Sequence, residues 1–247
     1  MKSMLRMTWM ETKLFMREPV GMFFTLVFPL MLLFLFGAIF GNEPNPMFGG
    51  RGTIDISLPI YTAMIIGTTG LMSTTITMAT YRENGILRRL RTTPVSPLTV
   101  LVAQVTVVFV MTTIGMLLLV VVGKLVYHVQ FEGNFFSVLA GFVLCCLSFF
   151  GIGFIIAGTM PNARAAQVVG LVLLYPMIYL SGASFPTELL PEGIRKVSTF
   201  LPLTYVVNLL RGLWIGESWG KHLLDVGVLV VMLVVGVLVS VKLFRWE

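Results

Sequence analysis

Charge is scarce in this chain: 17 lysines and arginines and 11 aspartates and glutamates occur among 247 residues. That is 11% charged, where a soluble domain carries about 25%. With 57% hydrophobic residues and a mean hydropathy of +0.94, the composition excludes a soluble domain and implies an integral membrane protein. Cysteine is almost absent. Cys145 and Cys146 sit side by side in an apolar run, which excludes a disulfide framework or a metal site and leaves them as small, soft packing atoms. The two histidines, His128 and His222, have no second ligand at metal spacing, so a membrane zinc protease is excluded and no metal ligand is assigned.

Motifs of chemistry are missing as well. No Gly-x-x-x-x-Gly-Lys-[Ser/Thr] loop occurs, and the pairs Gly123-Lys124 and Gly220-Lys221 lack both the leading glycine and the hydroxyl, so ATP is not bound by that route. No Gly-x-Ser-x-Gly nucleophile motif is present. No acidic or basic residue lies in the middle of an apolar run, where proton or sodium coupling would need one. A transporter of this composition is a passive pore or takes its energy from another subunit. No catalytic residue and no cofactor are assigned to this chain. The net charge of +6 comes from residues clustered at span ends, as orientation and anionic headgroups demand, so nucleic acid is not a partner and membrane lipid is.

What is present is an all-α membrane protein with six transmembrane helices, at about 20–41, 56–80, 98–123, 134–160, 165–185 and 222–243. Residues 1–18 precede them as an amphipathic interfacial helix and residues 19–247 form one transmembrane domain. Lys2, Arg6, Lys13 and Arg17 share a narrow arc, with Met4, Met7, Leu14 and Phe15 opposite, which suits a helix in the headgroup plane; a topogenic positive segment is the plainer reading. Pro29 permits a kink in the first span, and Gly151, Gly153, Ala157 and Gly158 permit close helix approach in the fourth. With both termini in the cytoplasm, 11 of the lysines and arginines fall inside and 6 outside.

The second span carries a stripe of Thr62, Thr69, Ser73, Thr77 and Thr80 on about a quarter of its circumference. Inter-helix hydrogen bonding accounts for such a stripe; a mildly polar conduit wall is the functional alternative, with Thr62, Thr69, Ser73 and Thr77 as lining candidates. Between spans two and three lies the most charged short segment, Tyr81–Pro97, with Arg82, Arg88, Arg89 and Arg91 against Glu83. Ile86, Leu87 and Leu90 give it an apolar edge, and Pro94 and Pro97 end any helix there. Retention in the cytoplasm by the positive-inside rule explains the arginines; a helix at 82–93 docking into a groove of a cytoplasmic partner explains the apolar edge too.

The run Val197–Leu210 is too short to cross about 30 Å of hydrocarbon. Short helices that dip into the outer leaflet and return, over 187–215, are therefore expected, with Trp214 and Trp219 at the interface. Leu201, Tyr205, Val206 and Leu209 supply an apolar face, and Pro202, Tyr205 and Arg211 are candidates for an outer gate.

Three fragments in order carry a family resemblance: Phe15-Met-Arg-Glu-Pro19 entering a span that ends Phe36-Gly-Ala-Ile-Phe-Gly41; Glu83-Asn-Gly-Ile-Leu-Arg-Arg-Leu-Arg-Thr-Thr-Pro94; and Phe185-Pro-Thr-Glu-Leu-Leu-Pro191 followed by Leu201-Pro-Leu-Thr-Tyr205 and Leu210-Arg211. With six spans, they resemble the membrane permease subunits of type 2 ATP-binding-cassette (ABC-2) exporters, most closely the drug and lipo-oligosaccharide branch. The resemblance implies a bacterial or archaeal plasma-membrane permease that moves an amphipathic drug, lipid or glycolipid-like substrate. It implies a coupling helix whose Glu83, Ile86, Leu87, Arg88, Leu90 and Arg91 contact the ATPase, and outer re-entrant helices between spans five and six. Its implied partners are two ATPase subunits, which hold ATP and Mg, and a second permease, identical or a paralogue. Spans one, two and five would face the path at the dimer interface, which adds Phe28 and Tyr179 to the lining candidates. The alternative is a channel or scaffold working without ATP drive.

Overall fold

The computed structural model describes residues 2–17, 19–86, 97–183 and 192–243. Six helices are long and apolar enough to cross a membrane: Phe23–Phe40, Thr53–Glu83, Thr99–Tyr127, Phe135–Thr159, Ala163–Leu180 and Trp219–Ser240, here spans one to six. The described residues contain no strand beyond the single bridge between Asn45 and Arg51. An all-helical six-span fold is thus as the composition implied.

Span two is the axis. It is 94% buried over its most apolar window, against 22% for spans one, five and six, although it is the least apolar of the six. Lipid tails give no reward for hiding apolar residues, so the helix richest in hydroxyls and small residues goes to the middle, where backbones approach and hydroxyls find carbonyls. Thr68 donates to the Met64 carbonyl at 2.8 Å, and Thr75 reaches span four at the Gly153 carbonyl, 3.2 Å away. A Cβ on Gly153 or on Gly170 would collide with the span-two carbonyls of Gly70 and Leu71.

Spans four and six cross backbone to backbone. A Cβ on Gly236 would stand 2.9 Å from the Gly151 Cα, so neither position admits a side chain. Ser148 closes the same contact by donating to the Leu229 carbonyl at 2.8 Å. Cys145 and Cys146 are free and fully buried beside it.

Two π-helical turns interrupt the α-helical phase, at Phe23–Val27 and Thr69–Thr74. The first is explained by Pro29, which has no N–H to give the Thr25 carbonyl, so the turn before it widens. Gly115 of span three lies close to that freed carbonyl; a Cβ there would be 2.9 Å from it.

The N-terminal helix Lys2–Phe15 packs along span three, on the face where spans two, four and five also have ends. Its buried side is Glu11 and Phe15, whereas Leu14 is 47% exposed. Its packing surface on the chain is chosen by Tyr81 and the span-three contact, and Leu14 is left to face outward.

On the opposite face, Asn42 receives the Ile54 and Asp55 amides and donates to Asp55 and to the Tyr127 carbonyl, clasping three chain segments. Arg51 joins Glu132 at 2.7 Å, with its guanidinium pKa raised mainly by that bond. Between spans five and six stand two short helices, Glu192–Ser198 and Pro202–Trp214. The second is wedged among spans two, four, five and six, with Leu203, Val206 and Leu209 fully buried. Leu203 lies 3.3 Å from where a Cβ of Gly67 would sit, about halfway along span two, while the other end reaches Phe131 through Trp214, rings 4.8 Å apart. Trp214 is 6% exposed and packs against the chain's own helices. Gly216 abuts the Glu132 carbonyl in the loop between spans three and four. Among the described residues after span five, neither short helix is a candidate span.

Candidate functional site: a groove between spans one, two and five

Spans one, two and five enclose a groove of about 440 Å³. Span one presents Phe24, Phe28, Leu32 and Phe36, spaced four apart and so aligned along one side of its helix. Phe24 and Phe28 meet edge to face at 5.4 Å, and Phe36 tilts over Tyr61 at 6.5 Å. Span two adds Tyr61, Met64, Thr68, Met72, Ser73 and Ile76. Span five adds Leu174, Tyr175, Ile178 and Tyr179. Tyr175 and Tyr179 are about half exposed, so the groove opens away from the chain's own core. The Ser73 hydroxyl is buried on this wall with no hydrogen-bond partner among the described residues. A wall of rings, methionines and scattered hydroxyls suits a ligand that is mostly apolar with a few polar atoms.

Of the lining residues expected from sequence, Phe28, Ser73 and Tyr179 lie on this groove. The hydroxyl stripe does not stay together. Thr62 turns toward Leu210 and Trp214 of the wedged helix and bonds its own backbone at Leu58. Thr69 faces span three, where the Thr112 hydroxyl donates to it at 3.1 Å. Thr77 borders a different cavity, beside Glu11. The π turn at Thr69–Thr74 adds a residue and shifts the phase of Thr77 against Thr62 and Thr69, whereas Thr62 and Thr69, two α-helical turns apart, meet different helices at different heights. The aligned phenylalanines of span one were visible as an i+4 repeat, a signal that counting hydroxyls passes over.

At the face of the N-terminal helix, three consecutive residues at the end of span two each bind a different element. The Tyr81 hydroxyl donates to Glu11 at 2.7 Å, Arg82 donates to the Gly158 carbonyl at 2.7 Å, and Glu83 accepts the Ala163 amide at 2.9 Å. Glu83 and the Asn162 side chain together cap the start of span five. Burial raises the Glu11 carboxyl pKa above its ordinary value, and the Tyr81 hydrogen bond opposes the shift. Residues 82 and 83 belong to the span's own helix, which ends at Asn84 with Gly85 at φ +64°. Ile86 packs on the core. Leu87, Arg88, Leu90 and Arg91 lie outside the described residues, and with them most of the helix expected at 82–93.

Pro202 opens the wedged helix at the position where a missing N–H costs nothing, and Tyr205 donates to the Thr199 carbonyl at 2.5 Å. Arg211 is half-buried in its last turn. Beyond it, His222 is flanked by Asp225 at 2.8 Å on Nδ1 and Glu217 at 3.0 Å on Nε2, a bridged arrangement and not a chelating one. Lys221 and His222 lower the Glu217 pKa through their hydrogen bonds. Among the described residues no group of three metal-ligating side chains converges.

The family model described as ABC-2 type transporter matches residues 3–214. The chain is 32% identical over 99 residues to Nodulation protein J of Rhizobium leguminosarum bv. viciae, covering 40% of this chain and 38% of that protein. It is 22% identical over 205 residues to the Putative transport permease ycf38 of Porphyra purpurea, covering 82% and 70%. It is 27% identical over 162 residues to the Probable multidrug ABC transporter permease YbhS of Escherichia coli (strain K12), covering 65% and 43%. The matches thus span less than half the length of Nodulation protein J and of YbhS. With a family match over most of its length, six spans in the expected order and an aromatic groove on its central helix, the chain belongs to the ABC-2 type transporter family, as a membrane permease.

Proposed function

We propose that this permease is the transmembrane half of an ATP-driven exporter, with the groove of spans one, two and five forming one wall of the translocation path. The observation that carries this reading is the groove itself: aromatic and thioether walls with sparse hydroxyls, built on the most buried helix and open on one side. A second permease, identical or a paralogue, closes the open side. The cargo is an amphipathic drug, lipid or glycolipid-like molecule, which such a wall holds by its apolar part.

Energy comes from two separate ATPase subunits, where ATP and Mg bind. The segment 82–93 docks on them, with Leu87 and Leu90 as apolar contacts beside Glu83, Ile86, Arg88 and Arg91. The three-way junction of Tyr81, Arg82 and Glu83 ties that segment to the N-terminal helix and to spans four and five, so a push on it reaches both groove and bundle. The two helices after span five dip into the bilayer from the outer side, and Pro202, Tyr205 and Arg211 stand at the outer end of the path. The lysine and arginine balance supports cytoplasmic termini in a bacterial or archaeal plasma membrane.

The test is co-purification in mild detergent, followed by reconstitution. A soluble ATPase should come with the permease, and its ATP hydrolysis should be stimulated by the transported amphiphile. Transport without ATP, unaffected by replacing Leu87 and Leu90 with Asp, would instead establish a channel.

A further inference from the structure

A second cavity, of about 310 Å³, lies between the N-terminal helix, span two and span three, near the end of span two that carries Tyr81. Its polar lining is unusual in what it leaves unmade. Gln104 is 3% exposed and lines this cavity, and its side chain makes no hydrogen bond among the described residues. An amide that faces a cavity offers a carbonyl acceptor and two N–H donors to a molecule bound there. Thr77 and Thr80 also line the cavity. Elsewhere in the span Thr68, Thr69 and Thr74 turn their hydroxyls onto their own backbone. Glu11, likewise 3% exposed, engages the Tyr81 hydroxyl through Oε2, which leaves Oε1 available.

These groups select a ligand. Glu11 is the one carboxyl among the described lining residues, and none of those residues is a lysine, arginine or histidine. An anion would face that carboxylate with no counter-charge. A protonated amine suits it: three N–H donors meet the Glu11 carboxylate, the Gln104 carbonyl and a threonine hydroxyl, and a charge-assisted bond of this kind is about twice as strong as a neutral one. Leu14, Phe15 and Val107 complete the cavity with apolar surface for a chain attached to the amine. We propose that this cavity is a binding site for an ammonium-bearing amphiphile, held by Glu11 and Gln104 at the membrane face of the N-terminal helix. Ile76 stands in the wall of both this cavity and the large groove, so an occupant here touches the groove's own lining. The site stands whether or not the groove carries cargo.

The experiment is calorimetric titration of the full chain, purified in dodecyl maltoside, with dodecylamine. Dodecyl sulfate carries the same tail with opposite charge, and dodecyltrimethylammonium carries the charge without N–H donors. Wild type should bind dodecylamine saturably at one site per chain, dodecyltrimethylammonium more weakly and dodecyl sulfate not at all. E11Q should weaken dodecylamine binding about tenfold or more, and Q104L several-fold. Both variants should fold: the E11Q amide oxygen still accepts from Tyr81, and Q104L removes a group that makes no hydrogen bond among the described residues, so its thermal midpoint should hold or rise. Native mass spectrometry from nanodiscs of phosphatidylethanolamine and phosphatidylcholine distinguishes the source of the amine. Retention of phosphatidylethanolamine by wild type and its loss in E11Q assigns a lipid headgroup; dodecylamine binding with no retained lipid assigns a free amphiphile. Equal dodecylamine affinity in wild type, E11Q and Q104L, or equal binding of dodecyl sulfate, would overturn the proposal.

Discussion

The Tyr81 hydroxyl donates a 2.7 Å hydrogen bond to the Glu11 carboxylate, joining the last turn of the central span to a helix seventy residues earlier in the chain. Both groups are more than nine-tenths buried, and Tyr81 is followed directly by the two residues that hold spans four and five. Replacing Tyr81 by Phe leaves the carboxyl without its donor and should cost about 1–3 kcal/mol, the usual penalty for stranding a buried polar group. Thermal unfolding in detergent measures it, and an unchanged midpoint would show the bond to be idle.

The same carboxyl sets a pH dependence. Because burial raises its pKa from 4.5, the folded state holds the proton more tightly than the unfolded chain does. Its contribution is fully present below pH 4.5 and is lost as pH rises through the raised value. Glu11→Gln removes this titration, so the variant should gain on wild type as pH increases from 4 upward. Parallel stability curves for the two proteins across that window would contradict the assignment.

Groove and stripe separate cleanly by labelling. In a background with Cys145→Ala and Cys146→Ala, cysteine at Ser73 or Tyr179 should react with a water-soluble thiol reagent or cross-link between permeases, while cysteine at Thr69 should stay inert behind Thr112. Equal reactivity at positions 69 and 73 would mean that the π turn does not divide the stripe.

Glu83 caps the first helical amide group of span five at Ala163. Glu83→Ala should destabilise by about 1 kcal/mol, as loss of a cap does, and, on the ATP-driven function proposed above, should reduce transport per ATP hydrolysed far more than it reduces folding. Glu83→Gln keeps an acceptor and should restore most of the transport. Identical transport in the Ala and Gln variants would remove Glu83 from the coupling route.

Gly236→Ala places a methyl 2.9 Å from the Gly151 Cα, against backbone that cannot rotate away. Spans four and six must then separate, at about 1–3 kcal/mol. Gly227→Ala on the same span meets nothing within 4 Å and serves as the control. Similar unfolding midpoints for the two variants would show that the crossing is loose.

The all-helical, six-span character of the chain was legible in the sequence, because a helix in lipid must satisfy its own backbone and be apolar along its whole length, both local properties. Gly151 and Gly153 announced a close crossing for the same reason: without a Cβ they have few other uses there. The direction in which each helix faces was not legible. Leu14 is as comfortable against lipid as against protein, so its hydrophobicity says nothing about burial, and Glu11 became the packed residue because Tyr81 offered it a donor. Thr62, Thr69 and Thr77 share a stripe on an ideal helix, yet a π turn after Thr69 re-aims Thr77, and Thr62 and Thr69 meet different helices at their different heights. Trp214 has the side chain of an interfacial anchor and the surroundings of a core residue, since its helix is wedged between spans instead of lying on them. Composition decided that the chain lives in a membrane; contacts between distant segments decided where it left cavities, and which polar groups it left facing them.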